Sequence, residues 1–119
     1  MEYDLKYVTF PDSVVEQFLF EPEQQRLMIE LDEAIYDNDR EVRRIPGCRL
    51  YVSDWQTIQI RDYKANQSIK SSSPDLYLAD LIDVHFDEKM VRLRGLGQGT
   101  GEWVDYIFEH ANYRLEEKM

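Results

Sequence analysis

Cysteine is almost missing from this chain: Cys48 is the only one in 119 residues, which excludes an internal disulfide and every metal motif built on two thiols. Histidine is nearly as scarce, with only His85 and His110. Basic residues are also few. With 14 Lys and Arg against 24 Asp and Glu, the net charge is -10, and that field repels phosphate backbones and anionic lipid surfaces. Nucleic acid and membranes are therefore not expected partners. No run approaches the roughly 18 consecutive apolar residues of a membrane span, and Met1 to Lys6 lacks the basic start and apolar stretch of a secretory signal. A reducing, cytoplasmic location is the expectation. Catalytic fingerprints are missing as well. Gly95, Gly97, Gly99 and Gly101 are wrongly spaced for a dinucleotide or phosphate loop, and no Gly-x-Ser-x-Gly elbow occurs, so no cofactor is expected.

What remains is enough to fold. Apolar residues make up 43% and aromatics 13% of a chain close to the usual size of one domain, so residues 1–119 read as a single domain with one core. Leu50, Val52, Ile58 and Ile60 share one parity and Tyr51, Thr57, Gln59 and Arg61 the other, which predicts one long strand or a hairpin turning at Ser53-Asp54. Ile82, Val84 and Phe86, then Val91 and Leu93 after Glu88-Lys89, predict a second hairpin with one buried face. Polar Lys64 to Ser73 reads as a surface loop, Ser73-Pro74-Asp75 as the cap of a short helix, and the Gly95 to Gly101 run as a flexible connection.

Two segments carry both periods. Leu27, Ile29 and Leu31 alternate, but Leu27, Leu31, Ala34 and Ile35 also suit a helix; Val104, Tyr106 and Phe108 alternate, but Val104, Phe108, Ala111 and Leu115 also suit one. An internal echo favours strands: Pro11-Asp12 with Phe18, Phe20, an acidic turn and Leu27, Ile29, Leu31 is similar to Pro74-Asp75 with Val84, Phe86, an acidic turn and Val91, Leu93. The predicted fold is mainly β, an antiparallel meander or sandwich of two similar halves. The alternative is α+β with helices at 22–37 and 102–117.

Tyr51 and Trp55 fall opposite the apolar parity of their segment, and Trp103 opposite that of Val104 and Phe108. Aromatics so placed are the material of protein interfaces, which makes Tyr51, Trp55 and Trp103 candidate partner anchors; the competing reading buries them under a second sheet. Asp83, His85 and Asp87 would project to one side of a strand, a half-site for a divalent metal, although alternating charges are also what any half-exposed strand displays. Carboxylate pairs such as Glu30 with Asp32 or Asp105 with Glu109 are inevitable among so many acids. Arg40, Arg43, Arg44 and Arg49 form the one basic cluster, suited to an anion or to neutralising nearby acids.

Asp12-Ser13, Phe18-Leu19-Phe20-Glu21 and Leu27-Met28-Ile29-Glu30-Leu31, followed by Trp-bearing strands, make the chain resemble the small, acidic, β-rich immunity proteins that accompany bacterial polymorphic toxins. Pro11 stands where many of those proteins carry histidine. The resemblance implies tight, non-catalytic binding of a toxin domain through acidic and aromatic surface residues. Net acidity points the same way, since it speeds encounter with a basic protein. The expectation is thus a protein-binding domain with a basic partner. The rival readings are a metal-dependent or small-molecule-binding enzyme using Asp83, His85 and Asp87, and a structural homodimer closed by exposed aromatics.

Overall fold

The computed structural model describes residues 2–63, 67–69 and 74–118. The first half contains β1 (Glu2–Tyr3), a 3-10 turn at Leu5–Tyr7, β2 (Val8–Thr9), β3 (Ser13–Glu21), β4 (Arg26–Asp37), β5 (Val42–Ser53) and β6 (Thr57–Asp62). The second half contains β7 (Gln67–Ile69), a 3-10 turn at Pro74–Leu76, β8 (Asp80–Leu81), β9 (Asp83–Phe86), β10 (Met90–Leu96), β11 (Trp103–Glu109) and β12 (Asn112–Glu117). A seven-stranded antiparallel sheet runs β1-β12-β5-β4-β3-β8 with β2 added on β4, and a five-stranded sheet runs β7-β6-β11-β10-β9. Their inner faces share one apolar core. No helix among the described residues is long and apolar enough to cross a membrane.

The mainly β antiparallel expectation therefore holds, and the helices at 22–37 and 102–117 do not form. Each false helical period has a structural cause. Gly47, at φ +70°, reorients β5 so that Cys48, Leu50 and Val52 point inward on one side of it and Ile45 on the other. The partner strand switches in step, from Leu27, Ile29 and Leu31 to Ala34. In the second segment Val104, Tyr106 and Phe108 face the core from one sheet and Leu115 from the other. The Ser53-Asp54 expectation also changes. β5 and β6 are neither one strand nor a hairpin, because the chain crosses between sheets at residues 54–56.

That crossing reveals the two halves. Each half folds as a three-strand meander, β3-β4-β5 or β9-β10-β11, and then sends its last strand away: β6 pairs with β11, and β12 pairs with β5. Both crossings begin on a left-handed residue, Asp54 (φ 56°) and His110 (φ 54°). Both of these residue types tolerate that region better than most non-glycine side chains. Each crossing residue donates its N–H to the preceding hairpin turn, Asp54 to the Gln25 carbonyl at 3.0 Å and His110 to the Lys89 carbonyl at 2.9 Å. The strands of the echo are equivalent in register. Phe18 and Phe20 pair with Ile29 and Leu27, as Val84 and Phe86 pair with Leu93 and Val91. Pro11-Asp12 is not equivalent to Pro74-Asp75, since Pro74 opens the 3-10 turn that corresponds to Leu5–Tyr7. The halves differ in reach: β4 and β5 have 12 residues each, β10 and β11 have 7.

The sheets meet around β8, which pairs with β3, Ser13 opposite Leu81 and Val14 opposite Asp80, while the N–H groups of Ala79 and Ile82 on either side of it donate to the Leu96 and Arg94 carbonyls of β10 at 2.8 and 2.9 Å. Aromatics fill the space between them. Phe18 lies 5.3 Å from Tyr106, and Trp55 4.8 Å from Phe108 and 6.2 Å from Phe20. The buried Tyr106 hydroxyl donates to the Leu76 carbonyl at 2.9 Å, satisfying the one polar atom this large side chain brings inside. The loop expected over Lys64 to Ser73 lies outside the described residues apart from Gln67–Ile69, which pairs with β6; Ser73, the expected cap, is outside them too. The glycine run is fastened rather than loose. Gly95 lies within β10, Gln98 N–H donates to the Tyr77 carbonyl at 2.7 Å, and Gly99 N–H donates to the Asp75 carbonyl at 3.0 Å.

At Gly95 a Cβ would sit 2.0 Å from the Asp80 carbonyl oxygen, a backbone atom that cannot swing aside. Gly95→Ala should therefore lower stability by more than about 2 kcal/mol, read as a fall in the urea midpoint. A midpoint equal to wild type would contradict this account of how β8 closes on β10.

Candidate functional site

Alternation in the five-stranded sheet sends Val91, Leu93, Val104, Tyr106, Phe108 and Ile60 inward. It leaves Gln59, Arg61, Arg92, Arg94, Asp105 and Ile107 on the outer face. The register places Arg94, Asp105 and Arg61 opposite one another in one row, and Leu96 with Trp103 in the next. Asp105 is only 1% exposed despite this outward direction. Arg94 covers it side-on, Nε donating to Oδ1 at 2.7 Å and Nη2 to Oδ2 at 3.1 Å, while the Tyr63 hydroxyl donates to Oδ2 at 2.7 Å. Burial pushes the Asp105 carboxyl upward, but the bonds from Arg94 and Tyr63 and the nearby guanidinium charge outweigh it and hold the group below the ordinary carboxylate range. The bond to Asp105 raises Arg94 in turn.

This network fixes what surrounds it. Arg94 Nη2 reaches the Tyr63 oxygen at 3.3 Å, and the Arg61 and Arg94 guanidinium groups each lie 5.8 Å from the Tyr63 ring centre. Tyr63 N–H donates to the Trp103 carbonyl at 3.2 Å, so the two aromatics are held side by side. Tyr63, Arg94 and Trp103 line a cleft of about 310 Å³, with Tyr63 40% and Trp103 43% exposed.

Of the predicted anchors, Trp103 is therefore on the open face, and Trp55 is not. Trp55 is 3% exposed, between Phe20 and Phe108. Strand parity misplaces it because it sits in the crossing after β5, where alternation has stopped. Tyr51 lies half-buried on the outer face of the seven-stranded sheet, its hydroxyl donating to Glu116 at 2.8 Å and its ring under the Arg114 guanidinium at 3.9 Å. The structure thus separates Tyr51 and Trp103 onto different sheets. Tyr51 joins Leu19, Met28 and Arg114 along a second groove of about 390 Å³.

Asp83, His85 and Asp87 each find a protein contact. Asp83 meets Arg92 at 3.2 Å and His85 Nε2 meets Asp87 at 2.7 Å. Asp87 also accepts the N–H groups of Lys89 and Met90 in the β9-β10 turn; the His85 bond first and these two next lower its carboxyl to about 2. Among the described residues no three His, Cys, Asp or Glu side chains are grouped to hold a metal ion. The arginine cluster is mostly spent on neutralisation: Arg43 pairs with Glu117, Arg44 with Glu33 and Arg49 with Glu30. Cys48 is fully buried, and burial drives its thiol up to about 12, which makes it a poor nucleophile. Sequence reading missed Tyr63 and Arg94. It noticed Asp105 only as one acid among many, although a charge inside the densest apolar run was the available signal.

Replacing the buried Trp55 by Ala should cost about 3–5 kcal/mol, whereas Trp103→Ala should change stability by less than about 1 kcal/mol; iodide should quench Trp103 and spare Trp55. The opposite order in either measurement would refute the placement. Arg94→Ala should cost about 3–5 kcal/mol near neutral pH by leaving Asp105 buried and uncovered. Because the folded Asp105 is depressed, its contribution is complete above the unfolded value of about 4 and lost as pH falls through the folded one. The gap between Arg94→Ala and wild type should therefore narrow from pH 5 toward pH 2. A gap independent of pH would exclude the charge as its source.

Compared with known protein families, with curated proteins and with solved structures, this chain matches none.

Proposed function

We propose that the chain is a non-catalytic protein-binding domain of the immunity type, which neutralises a basic partner protein by seating it on the outer face of the five-stranded sheet. The supporting observation is the pair of large aromatics, Tyr63 and Trp103, left 40% and 43% exposed around a guanidinium that Asp105 holds in place. Trp, Tyr and Arg dominate the energetics of protein interfaces. A site whose side chains are already ordered also loses less entropy on binding. The net charge of -10 adds long-range attraction for a basic surface.

The test uses purified protein and the products of the genes adjacent to its own. One of these should form a complex that Trp103→Ala weakens at least tenfold, while Leu19→Ala on the other sheet leaves affinity within a factor of two. Raising salt should slow association and leave dissociation nearly unchanged. The reading fails if no neighbouring product binds, or if Trp103→Ala binds as wild type.

A further inference from the structure

The equivalence of the two halves provides an internal comparison for their outer faces. In the five-stranded sheet one row reads Asp83, Arg94, Asp105, Arg61; the equivalent row of the other sheet reads Gln17, Glu30, Arg49, Glu116. At three of the four positions the sign is reversed, and at the fourth Asp83 stands where the other half has the neutral Gln17: a central acid flanked by two arginines replaces a central arginine flanked by two glutamates. The residues that follow the crossed strands β6 and β12 complete both rows in the same way. Lys118 N–H donates to the Gly47 carbonyl as Tyr63 N–H donates to that of Trp103, and each side chain then reaches the flanking charge, Lys118 to Glu30 and Tyr63 to Arg94, both at 3.3 Å.

The compensation differs between them. Glu30 is met by two cations, Arg49 and Lys118, but Arg94 is met by one carboxylate and a neutral phenol. Asp105 uses the Nε and Nη2 edge of Arg94; Nη1 has no partner among the described residues, and the side chain lines the cleft. Arg61 has no carboxylate within ion-pair distance among the described residues, and Arg92 Nε is buried without a hydrogen-bond partner. In the two adjoining rows that hold them, Arg61, Arg92 and Arg94 thus outnumber Asp83 and Asp105 in a chain whose net charge is -10; Glu109, the next acid on this face of β11, lies two rows from Asp105, opposite Met90 and Thr57.

We infer that the cleft receives a carboxylate side chain from the partner protein, held between the guanidinium groups of Arg94 and Arg61 with its adjoining methylenes against Trp103. This deepens the protein-binding reading and rests on it. The acidic field selects basic partners at long range, and the arginine cleft then accepts only those that carry an acid at the right place. A basic residue there would meet fixed positive charge, so a repulsive element joins the attractive one. Arg94 is suited to the role because its orientation is already determined by Asp105.

The experiment titrates isotope-labelled protein with three capped tripeptides, Gly-Glu-Gly, Gly-Gln-Gly and Gly-Lys-Gly, following the Trp103 indole N–H and the Nε–H signals of Arg61 and Arg94. The glutamate peptide should shift all three signals at least fivefold more than the glutamine peptide. Arg61→Gln, which breaks no ion pair among the described residues, should reduce that response at least threefold. Equal shifts from the glutamine or lysine peptide, shifts confined to Arg40, Arg43 or Arg44, or no shift at Trp103 would overturn the carboxylate assignment. A lysine peptide seated at Trp103 would do so while leaving the protein-binding reading intact. A glutamate response with partner affinity unaffected by Trp103→Ala would spare the assignment and sink that reading. A molecular mass that rises with concentration and falls back in Arg61→Gln would show that the carboxylate comes from a second copy of this chain, and would count against a separate partner.

Discussion

The exchange of final strands between the two halves is the constraint on which the rest of the structure depends. β6 leaves its own meander to pair with β11, and β12 leaves its own to pair with β5, so neither sheet is complete without a strand from the other half. The core inherits this dependence, because Ile60 and Leu115 are buried from strands that have crossed. Long-range pairing of this kind couples the halves into one cooperative unit. The crossings are cheap where they need to be: Asp54 and His110 take the left-handed turn, and each has its amide satisfied by the hairpin turn it passes.

The outer faces follow from the same exchange. β6 brings Arg61 beside Asp105 and leads into Tyr63, and β12 brings Glu116 beside Arg49 and ends next to Lys118. On each sheet one central charge is flanked in register by two opposite charges, with the signs reversed, and pairs with one of them: Asp105 with Arg94, Arg49 with Glu30. Burying Asp105 is tolerable because Arg94 and Tyr63 together occupy both its oxygens. The covering groups are in turn immobilised at the surface, and an exposed tryptophan stands beside them. The interaction that stabilises the sheet is therefore also what shapes the cleft.

Much of the fold was legible in the residues. Strand alternation located β9, β10 and the inward set Leu50, Val52 and Ile60, and the echo of Phe18, Phe20, Leu27 and Ile29 in Val84, Phe86, Val91 and Leu93 marked positions that prove equivalent in register. The crossings were not legible, since nothing local says that the chain after Ser53 pairs with a strand some fifty residues later. That single omission misplaced Trp55, because parity carried past Asp54 assigns it to a face it never reaches. The site was less legible still. Arg94 and Tyr63 are 31 residues apart, and only the sheet register brings them to one carboxylate. Trp103 was found by parity because it lies at the start of a strand that does alternate.

Hydroxyl-radical footprinting of the complex with the proposed protein partner tests the central claim directly, because each sheet carries reactive side chains on its outer face. Tyr63 and Trp103 report on the five-stranded sheet, and Met28 and Tyr51 on the other. The account predicts that binding protects Tyr63 and Trp103 from oxidation and leaves Met28 and Tyr51 unchanged. Protection of Met28 and Tyr51 with Trp103 still freely oxidised would contradict it.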